Sequence, residues 1–171
     1  MIETFRKLEQ SGLIDDIILT YPTQTGEMRK GSLSSYNVTV RSIREIQPQR
    51  KTVTDSVWGM DGEYDFSTPE TYSRRRFDIV FNIYAELGSV QDQRDRLVEW
   101  LKGADCRGKS QNFKNAVKLE FSRRKNTYYS DIWVEIGNLD TPNTAKGRYY
   151  SSLSVTITTA PRYHKDGEQR I

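Results

Sequence analysis

The chain has 171 residues, a length that fits one domain, so we expect residues 1–171 to fold as a single unit. Its net charge of +3 is too small to indicate a nucleic-acid partner by itself, because phosphate binding needs basic residues concentrated on one face. The single cysteine, Cys106, excludes an internal disulfide, and no apolar run approaches the ~20 residues that span a membrane, so we expect a soluble protein without a membrane partner.

The amino-terminal region predicts one short strand and a loop. Residues 12–19 include Leu13 and the β-branched residues Ile14, Ile17 and Ile18, which are typical of a strand. The pair Tyr21 and Pro22 is expected to end it. Residues 23–35 are rich in Thr, Gly, Ser and Lys, a composition that predicts a loop.

Alternating patterns predict the next strands. Residues 36–46 alternate with the period of a half-buried strand. Their predicted inward face consists of Tyr36, Val38, Val40 and Ser42. Residues 51–58 alternate less regularly and predict a further strand. Residues 76–84 alternate without interruption. The apolar face of that strand consists of Phe77, Ile79, Phe81 and Ile83.

One amphipathic helix is predicted over residues 89–102. Ser89 is a suitable N-cap with Asp92 three residues later, and Gly103 stands where a helix terminator belongs. The apolar stripe that should face the sheet consists of Val90, Leu97, Val98 and Leu101.

The carboxy-terminal part predicts a hairpin and a final strand. Residues 117–121 and 128–136 should pair around the basic turn at 123–126. Residues 140–147 predict a polar loop, and residues 148–159 alternate as a last strand. Together these elements predict a mainly β (α+β) fold, an antiparallel β-sandwich or barrel-like structure with one packed α-helix.

A phosphate-binding motif occurs after the predicted helix. Residues 103–110, GADCRGKS, satisfy the pattern G-x-x-x-x-G-K-[ST]. That loop must leave a buried parallel strand and enter a helix, so that its backbone donors point at phosphate. Here it follows a helix, which favours a glycine helix stop and a turn. A P-loop-type nucleotide-binding enzyme is kept as an alternative.

Residues for catalysis or metal binding are scarce. His164 is the one histidine, and we expect it in an exposed polar tail. Cys106 has no evident base partner, and one Cys with one His does not make a zinc site. Asp61 and Asp65 lack the regular spacing of a calcium loop, so an Asp-Gly turn is the better interpretation. We therefore expect no catalytic residue, no cofactor and no metal.

Two basic clusters occur, at residues 74–76 and 123–125. Both are interpreted as solvated strand ends or contacts between subunits, because no wider basic face accompanies them. Tyr128 and Tyr129 follow the second cluster, and aromatic side chains interleaved with charge are typical of single-strand binding. A small nucleic-acid-binding module is therefore a further alternative.

Several segments, taken in order, resemble the distal tail proteins of phages. Residues 57–66, VWGMDGEYDF, are similar to the G-x-D-G-x-x-D loop of that family. The residues that carry this similarity are Trp58, Gly59, Asp61, Gly62 and Asp65. Residues 72–79 resemble the basic segment that follows the loop. Its cationic residues are Arg74, Arg75 and Arg76. The helix at 91–101, the paired tyrosines at 125–129 and a strand ending near a proline at 153–161 follow in the family's order.

The resemblance implies a structural role without catalysis. It implies a tail-tube-like β-sandwich with a helix, assembled as a hexameric ring around a channel through which DNA passes as cargo. The implied partners are the tail tube protein and a tail-tip or hub protein, and the implied location is the tail of a virion or phage-derived particle made in the bacterial cytoplasm. The loop and the three arginines become candidates for structural or assembly contacts.

The limits of the resemblance lie at the two ends. Residues 1–50 match the family poorly, and the chain ends soon after the ring-domain pattern, so we expect no attachment to host sugars. A tail-tube or other baseplate ring protein would share the same order of elements.

Overall fold

A computed structural model describes residues 16–22, 28–32, 38–51, 54–56, 63–65, 72–84, 90–102, 117–140 and 150–171. Within them the chain forms twelve strands and one helix. In chain order these are β1 (Ile17–Pro22), β2 (Met28–Ser32), β3 (Val38–Ile46), β4 (Thr54–Ser56), β5 (Glu63–Asp65), β6 (Arg75–Tyr84), α1 (Val90–Leu101), β7 (Lys118–Phe121), β8 (Thr127–Ser130), β9 (Trp133–Asp140), β10 (Tyr150–Thr159), β11 (Tyr163–Lys165) and β12 (Glu168–Arg170).

The strands form three antiparallel sheets. A six-stranded sheet has the order β12-β11-β8-β7-β1-β2, and a four-stranded sheet has the order β3-β6-β10-β9. Strands β4 and β5 pair as a separate two-stranded sheet. The predicted class, mainly β with one helix, is therefore confirmed.

The two large sheets pack face to face. Phe77 of the four-stranded sheet meets two rings of the six-stranded sheet, with ring centres 5.2 Å from Phe121 and 4.9 Å from Tyr129. All three rings are buried. Such tilted and edge-on contacts add to the burial energy of large aromatic side chains. The arrangement is the predicted β-sandwich.

Strands β6 and β10 supply the centre of the core. The apolar face predicted for β6 is confirmed, because Phe77, Ile79, Phe81 and Ile83 are all buried. On the neighbouring strand, Leu153, Val155 and Ile157 are buried as well. Each pairs directly across from a β6 core residue, so the two apolar rows are in register.

Helix α1 packs against the strands β6 and β10, as its apolar stripe predicts. Val90, Leu97 and Leu101 are buried, and Val98 is half-buried against the same core. Trp100 is also buried, although the predicted stripe did not include it. Ser89 and Gly103, the predicted ends, lie outside the described residues.

A tyrosine hydroxyl ties the end of α1 to β1. The hydroxyl oxygen of Tyr21 lies 2.8 Å from the carbonyl oxygen of Trp100 and 2.9 Å from that of Leu101, and its one hydrogen is shared between them. The last carbonyls of a helix have no partner inside the helix, so a buried helix end needs such a donor. Tyr21 thus satisfies buried backbone that packing alone would leave without a donor.

Replacing Tyr21 with phenylalanine should lower the free energy of unfolding by about 1 kcal/mol, because a buried hydrogen bond is lost while the ring stays. Tyr163→Phe is a matched control, since no described residue hydrogen-bonds the Tyr163 hydroxyl. Denaturant melts compare the two variants with the wild type. Equal losses for both would contradict the role of the Tyr21 hydroxyl.

The amino-terminal prediction needs two corrections. Strand β1 continues through Tyr21 to Pro22, which a proline permits here because β7 pairs with β1 only as far as Thr20. The predicted loop at 23–35 contains strand β2, which pairs with β1 as a hairpin. The polar composition of β2 gives no strand signal, because β2 is extended only through its pairing with β1.

The predicted strand over residues 128–136 is wrong. The chain instead forms β8 and β9, which belong to different sheets. Between them Asp131 has φ 54°, a left-handed conformation that ends the first ladder. The predicted hairpin of β7 and β8 is confirmed, and its turn contains Asn126 with φ 55°.

Strand β3 contains an irregularity that changes its inward face. Its pairing with β6 shifts between Val40 and Ser42, so that Arg41 is the extra residue. Val40 pairs with the core residue Phe81, but beyond the shift Ile43 pairs with the core residue Ile79. The prediction that Ser42 faces inward is therefore wrong, and Ser42 is exposed. A bulge of this kind exchanges the two faces of a strand.

Candidate functional site

The predicted assembly residues are only partly described. Four of them, Trp58, Gly59, Asp61 and Gly62, lie outside the described residues. Asp65 is the last residue of β5 and pairs with Thr54. The assembly role of this loop therefore stays a prediction. Arg74, Arg75 and Arg76 are described, and each of them has different surroundings.

Arg75 is the buried member of the triplet, with 1% of its surface exposed. Its position on β6 has the same parity as Phe77, so its side chain points between the sheets. Its Nη1 atom lies 2.5 Å from Oε1 of Glu45 and 2.5 Å from Oε1 of Gln47. Its Nη2 atom donates to the carbonyl oxygen of Pro161 at 3.3 Å, and its guanidinium lies 5.0 Å from the ring centre of Tyr163.

A second arginine, the partly exposed Arg124, completes the cluster around buried Arg75. Nη2 of Arg124 lies 2.9 Å from Oε2 of Glu45, so the carboxylate is held between two guanidinium groups. Nη1 of Arg124 donates to the hydroxyl oxygen of Tyr129 at 2.5 Å. The guanidinium also lies 5.1 Å from the ring centre of Phe121. The cluster thus joins β3, β6 and the β7–β8 hairpin above the aromatic core.

The cluster keeps a net positive charge. Burial raises the pKa of Tyr129 above its ordinary value, although the Arg124 cation opposes the shift. Burial alone would lower the pKa of Arg124, but its neighbours Tyr129 and Glu45 bring that pKa above its ordinary value. The phenol therefore stays neutral at neutral pH, and one carboxylate faces two cations.

An open cleft of about 750 Å³ lies over this cluster. Its rim comes from the β7–β8 turn and the β11–β12 hairpin, which place Arg123, Lys125 and Lys165 around the opening. The two turns are bonded to each other. Nδ2 of Asn126 donates to Oδ1 of Asp166 at 3.1 Å, and the backbone N–H of Asp166 donates to the carbonyl oxygen of Asn126 at 3.0 Å. These two hydrogen bonds fix the positions of the two turns relative to each other.

Arg74 belongs to a separate exposed group, the Trp133 patch, which consists of Arg74, Asp131 and Trp133. Nη1 of Arg74 lies 2.5 Å from Oδ2 of Asp131, and the Trp133 indole N–H donates to Oδ1 of the same carboxylate at 3.3 Å. The Arg74 guanidinium lies 5.9 Å from the indole ring centre. Trp133 is 55% exposed, at the start of the edge strand β9. These contacts hold a large aromatic ring at the surface.

Arg76 lies on the outer face of the four-stranded sheet. Its Nε atom donates to Oδ1 of Asp78 at 2.7 Å, and Oγ1 of Thr156 donates to the same atom at 3.2 Å. Arg76 is exposed, so this ion pair contributes little to stability. Arg75 therefore belongs to the buried cluster, Arg74 to the Trp133 patch, and Arg76 to the solvated face of the sheet.

The paired tyrosines do not form a stacking platform. They lie on opposite faces of β8: Tyr129 is buried, whereas the Tyr128 ring stacks on His164 with ring centres 4.5 Å apart. Nζ of Lys118 lies 4.4 Å from the Tyr128 ring centre, on the β7 side. Both tyrosine rings are thus occupied by the protein itself, which disfavours the single-strand-binding alternative.

The expectation that His164 lies in an exposed polar tail is wrong. The residue belongs to β11, which pairs with β8 and β12, and its side chain is half-buried on Tyr128. The β11–β12 turn uses Asp166 and Gly167 with φ of 52° and 83°. An Asp-Gly pair with two positive φ angles is the preferred hairpin turn, and this signal lies in the sequence.

The phosphate-binding motif is not tested by the structure. Residues 103–110, including Cys106, lie outside the described part of the chain. Among the residues that are described, no group of three His, Cys, Asp or Glu is placed to hold a metal ion. No helix in the described ranges has the length and apolar character needed to cross a membrane.

Comparison with known proteins gives matches at the level of structure only. No protein-family model matches the chain, and no curated protein does. The crystal structure of the Dit protein of phage SPP1, a paradigm of the hub adsorption apparatus in phages that infect Gram-positive bacteria, matches 90% of this chain with 16% identity and a TM-score of 0.45. The chain spans about half of that protein, 51% of its length.

A second match is the tail of an empty GTA particle with C6 symmetry. It covers 90% of this chain and 94% of the matched chain, with 12% identity and a TM-score of 0.37. The structural similarity to each of these two matches is low.

Proposed function

We propose that the chain is a ring-forming structural subunit of a phage-type tail, placed where the tail tube meets the tip. The observation that carries the proposal is the order of elements. The basic strand β6, helix α1, the β7–β8 hairpin with its paired tyrosines and the strand β10 before Pro161 follow one another as in the distal tail proteins that the sequence resembles. Their packing as a β-sandwich with one helix fits that role.

The Trp133 patch supports an assembly role. Trp and Arg are enriched among the residues that dominate binding energy at protein interfaces. The patch adjoins β9, one edge of the four-stranded sheet, and β3 forms the other edge. Exposed strand edges invite uncontrolled pairing, and a closed ring of subunits covers them.

The remaining features of the proposal follow from the same resemblance. The ring is a homo-hexamer with the tail tube protein on one side and a tail-tip or hub protein on the other, and DNA crosses its channel as cargo. Residues 1–171 act as one ring domain without catalysis, in the tail of a virion or a phage-derived particle. The loop residues Trp58, Gly59, Asp61, Gly62 and Asp65 contribute to assembly.

Light scattering coupled to size-exclusion chromatography, together with negatively stained images, tests the proposal. The purified chain should give rings with an open centre at high concentration. Trp133→Ala should shift the population towards monomer without changing the melting temperature, because the indole side chain of Trp133 lies largely outside the core. Arg96→Ala, at an exposed position of α1, is the matched control and should leave assembly unchanged.

A monomer at all concentrations, or rings that are insensitive to Trp133→Ala, would count against this surface as the contact. Specific micromolar nucleotide binding that is lost in Lys109→Ala would instead favour the enzyme alternative.

A further inference from the structure

The cleft over the buried arginine cluster has an excess of positive charge. Five cationic side chains line it against two side-chain carboxylates. The cationic residues are Arg75, Arg123, Arg124, Lys125 and Lys165, and the carboxylates belong to Glu45 and Asp166. Glu45 already serves two guanidinium groups, and Asp166 accepts from the Asn126 amide. The side chains that line the cleft therefore carry more positive than negative charge.

Two of these cations have no partner of opposite charge. Lys125 and Lys165 stand at the rim, and no carboxylate in the described part of the chain pairs with either ammonium group. On the floor, Nε of Arg75 is buried and has no hydrogen-bond partner among the described residues. A buried donor without a partner is costly.

The chemistry of the floor indicates the kind of anion that the cleft accepts. A carboxylate, that of Glu45, is already bound there between two guanidinium groups, an arrangement suited to the two oxygens of a carboxylate. The aromatic rings of the floor are not available to a nucleobase. Tyr129 is buried, and the Arg75 guanidinium lies over Tyr163. The floor can therefore bind an anion through its positive charge, but it offers no free ring on which a nucleobase could stack.

We propose that this cleft is the docking site for an acidic peptide segment, two or three closely spaced Asp or Glu residues of a neighbouring tail protein. The cleft is open to solvent and the two bonded turns line it, so an extended peptide can place its carboxylates against Lys125 and Lys165. The inference rests on the proposed function, because it assigns the cleft to a partner in the assembly. The surface differs from the Trp133 patch, which we assign to contacts within the ring.

Fluorescence anisotropy with a fluorescein-labelled hexaglutamate peptide tests the proposal, using the full chain at about 50 mM salt, where screening is weak. The wild type should bind hexaglutamate and not the matched hexaglutamine peptide. The double variant Lys125→Glu/Lys165→Glu should bind about tenfold more weakly, since two favourable contacts become repulsive. Arg96→Glu/Lys102→Glu makes the same charge change at two exposed positions, one in α1 and one directly after it, and should weaken binding far less.

Four outcomes would overturn the proposal. The first is equal weakening by the two double variants, which would indicate a general effect of net charge. The second is tighter binding of a short oligothymidine than of hexaglutamate, and the third is equally tight binding of inorganic triphosphate. The fourth is the formation of rings that do not bind the peptide, which would refute the docking site and leave the proposed function intact. If the chain stays monomeric at all concentrations but binds the peptide, the docking site would stand and the proposed ring would be refuted.

Discussion

Replacing Arg75 with methionine is expected to lower the free energy of unfolding by about 3 kcal/mol. Removing one partner of a buried ion pair leaves an uncompensated charge, which typically costs about 3–5 kcal/mol. The lower end applies here because Arg124 still faces Glu45. Methionine keeps much of the side-chain volume, so the loss reports on charge and hydrogen bonds more than on packing. Denaturant melts at neutral pH measure it.

The neighbouring arginine is the matched control for this variant. Arg76→Met removes the same charge one residue away, but from an exposed ion pair with Asp78, and should cost about 0–1 kcal/mol. In a double-mutant cycle, Glu45→Gln should cost less after Arg75 has been replaced than before, because the two side chains interact directly. Equal costs for the Arg75 and Arg76 variants would show that burial of the pair does not matter.

Truncating Leu97 to alanine should cost about 2–5 kcal/mol, because the side chain is fully buried between α1 and the sheet and its removal leaves a cavity. Glu99→Ala changes an exposed position two residues along the same helix and should alter stability by less than about 0.5 kcal/mol. Thermal and denaturant melts of the two variants separate the faces of the helix. A Leu97→Ala protein as stable as the wild type would contradict the packing of α1.

Strongly periodic segments allowed the core to be predicted from sequence. Strand β6 has four inward apolar residues in an unbroken alternation, and the α1 stripe recurs at helical spacing, so local pattern and burial agree. The same parity on β6 also indicated that Arg75 points inward, since it precedes Phe77 by two residues. That signal was present in the sequence but was obscured by its membership of a basic triplet.

The buried cluster could not be predicted in full, because it depends on backbone irregularities. Regular alternation along residues 36–46 would place Glu45 on the outer face, and the bulge at Arg41 turns it inward to Arg75. The left-handed residue Asp131 likewise redirects the chain from one sheet to the other. Such single-residue events are set by tertiary packing, and hydrophobic periodicity does not encode them.

The pairing of β1 with β7 has a consequence for how the chain acquires its structure. Ile17 pairs with Phe121, so about a hundred residues separate two adjacent strands. The loss of chain entropy on closing so long a loop precedes the contacts that compensate for it, and proteins dominated by such pairings fold slowly. During synthesis, the β1–β2 hairpin cannot pair with the rest of the six-stranded sheet until β7 has been made. Until then the apolar row of β1 is without its neighbour, and an unpaired strand of this kind is prone to aggregation.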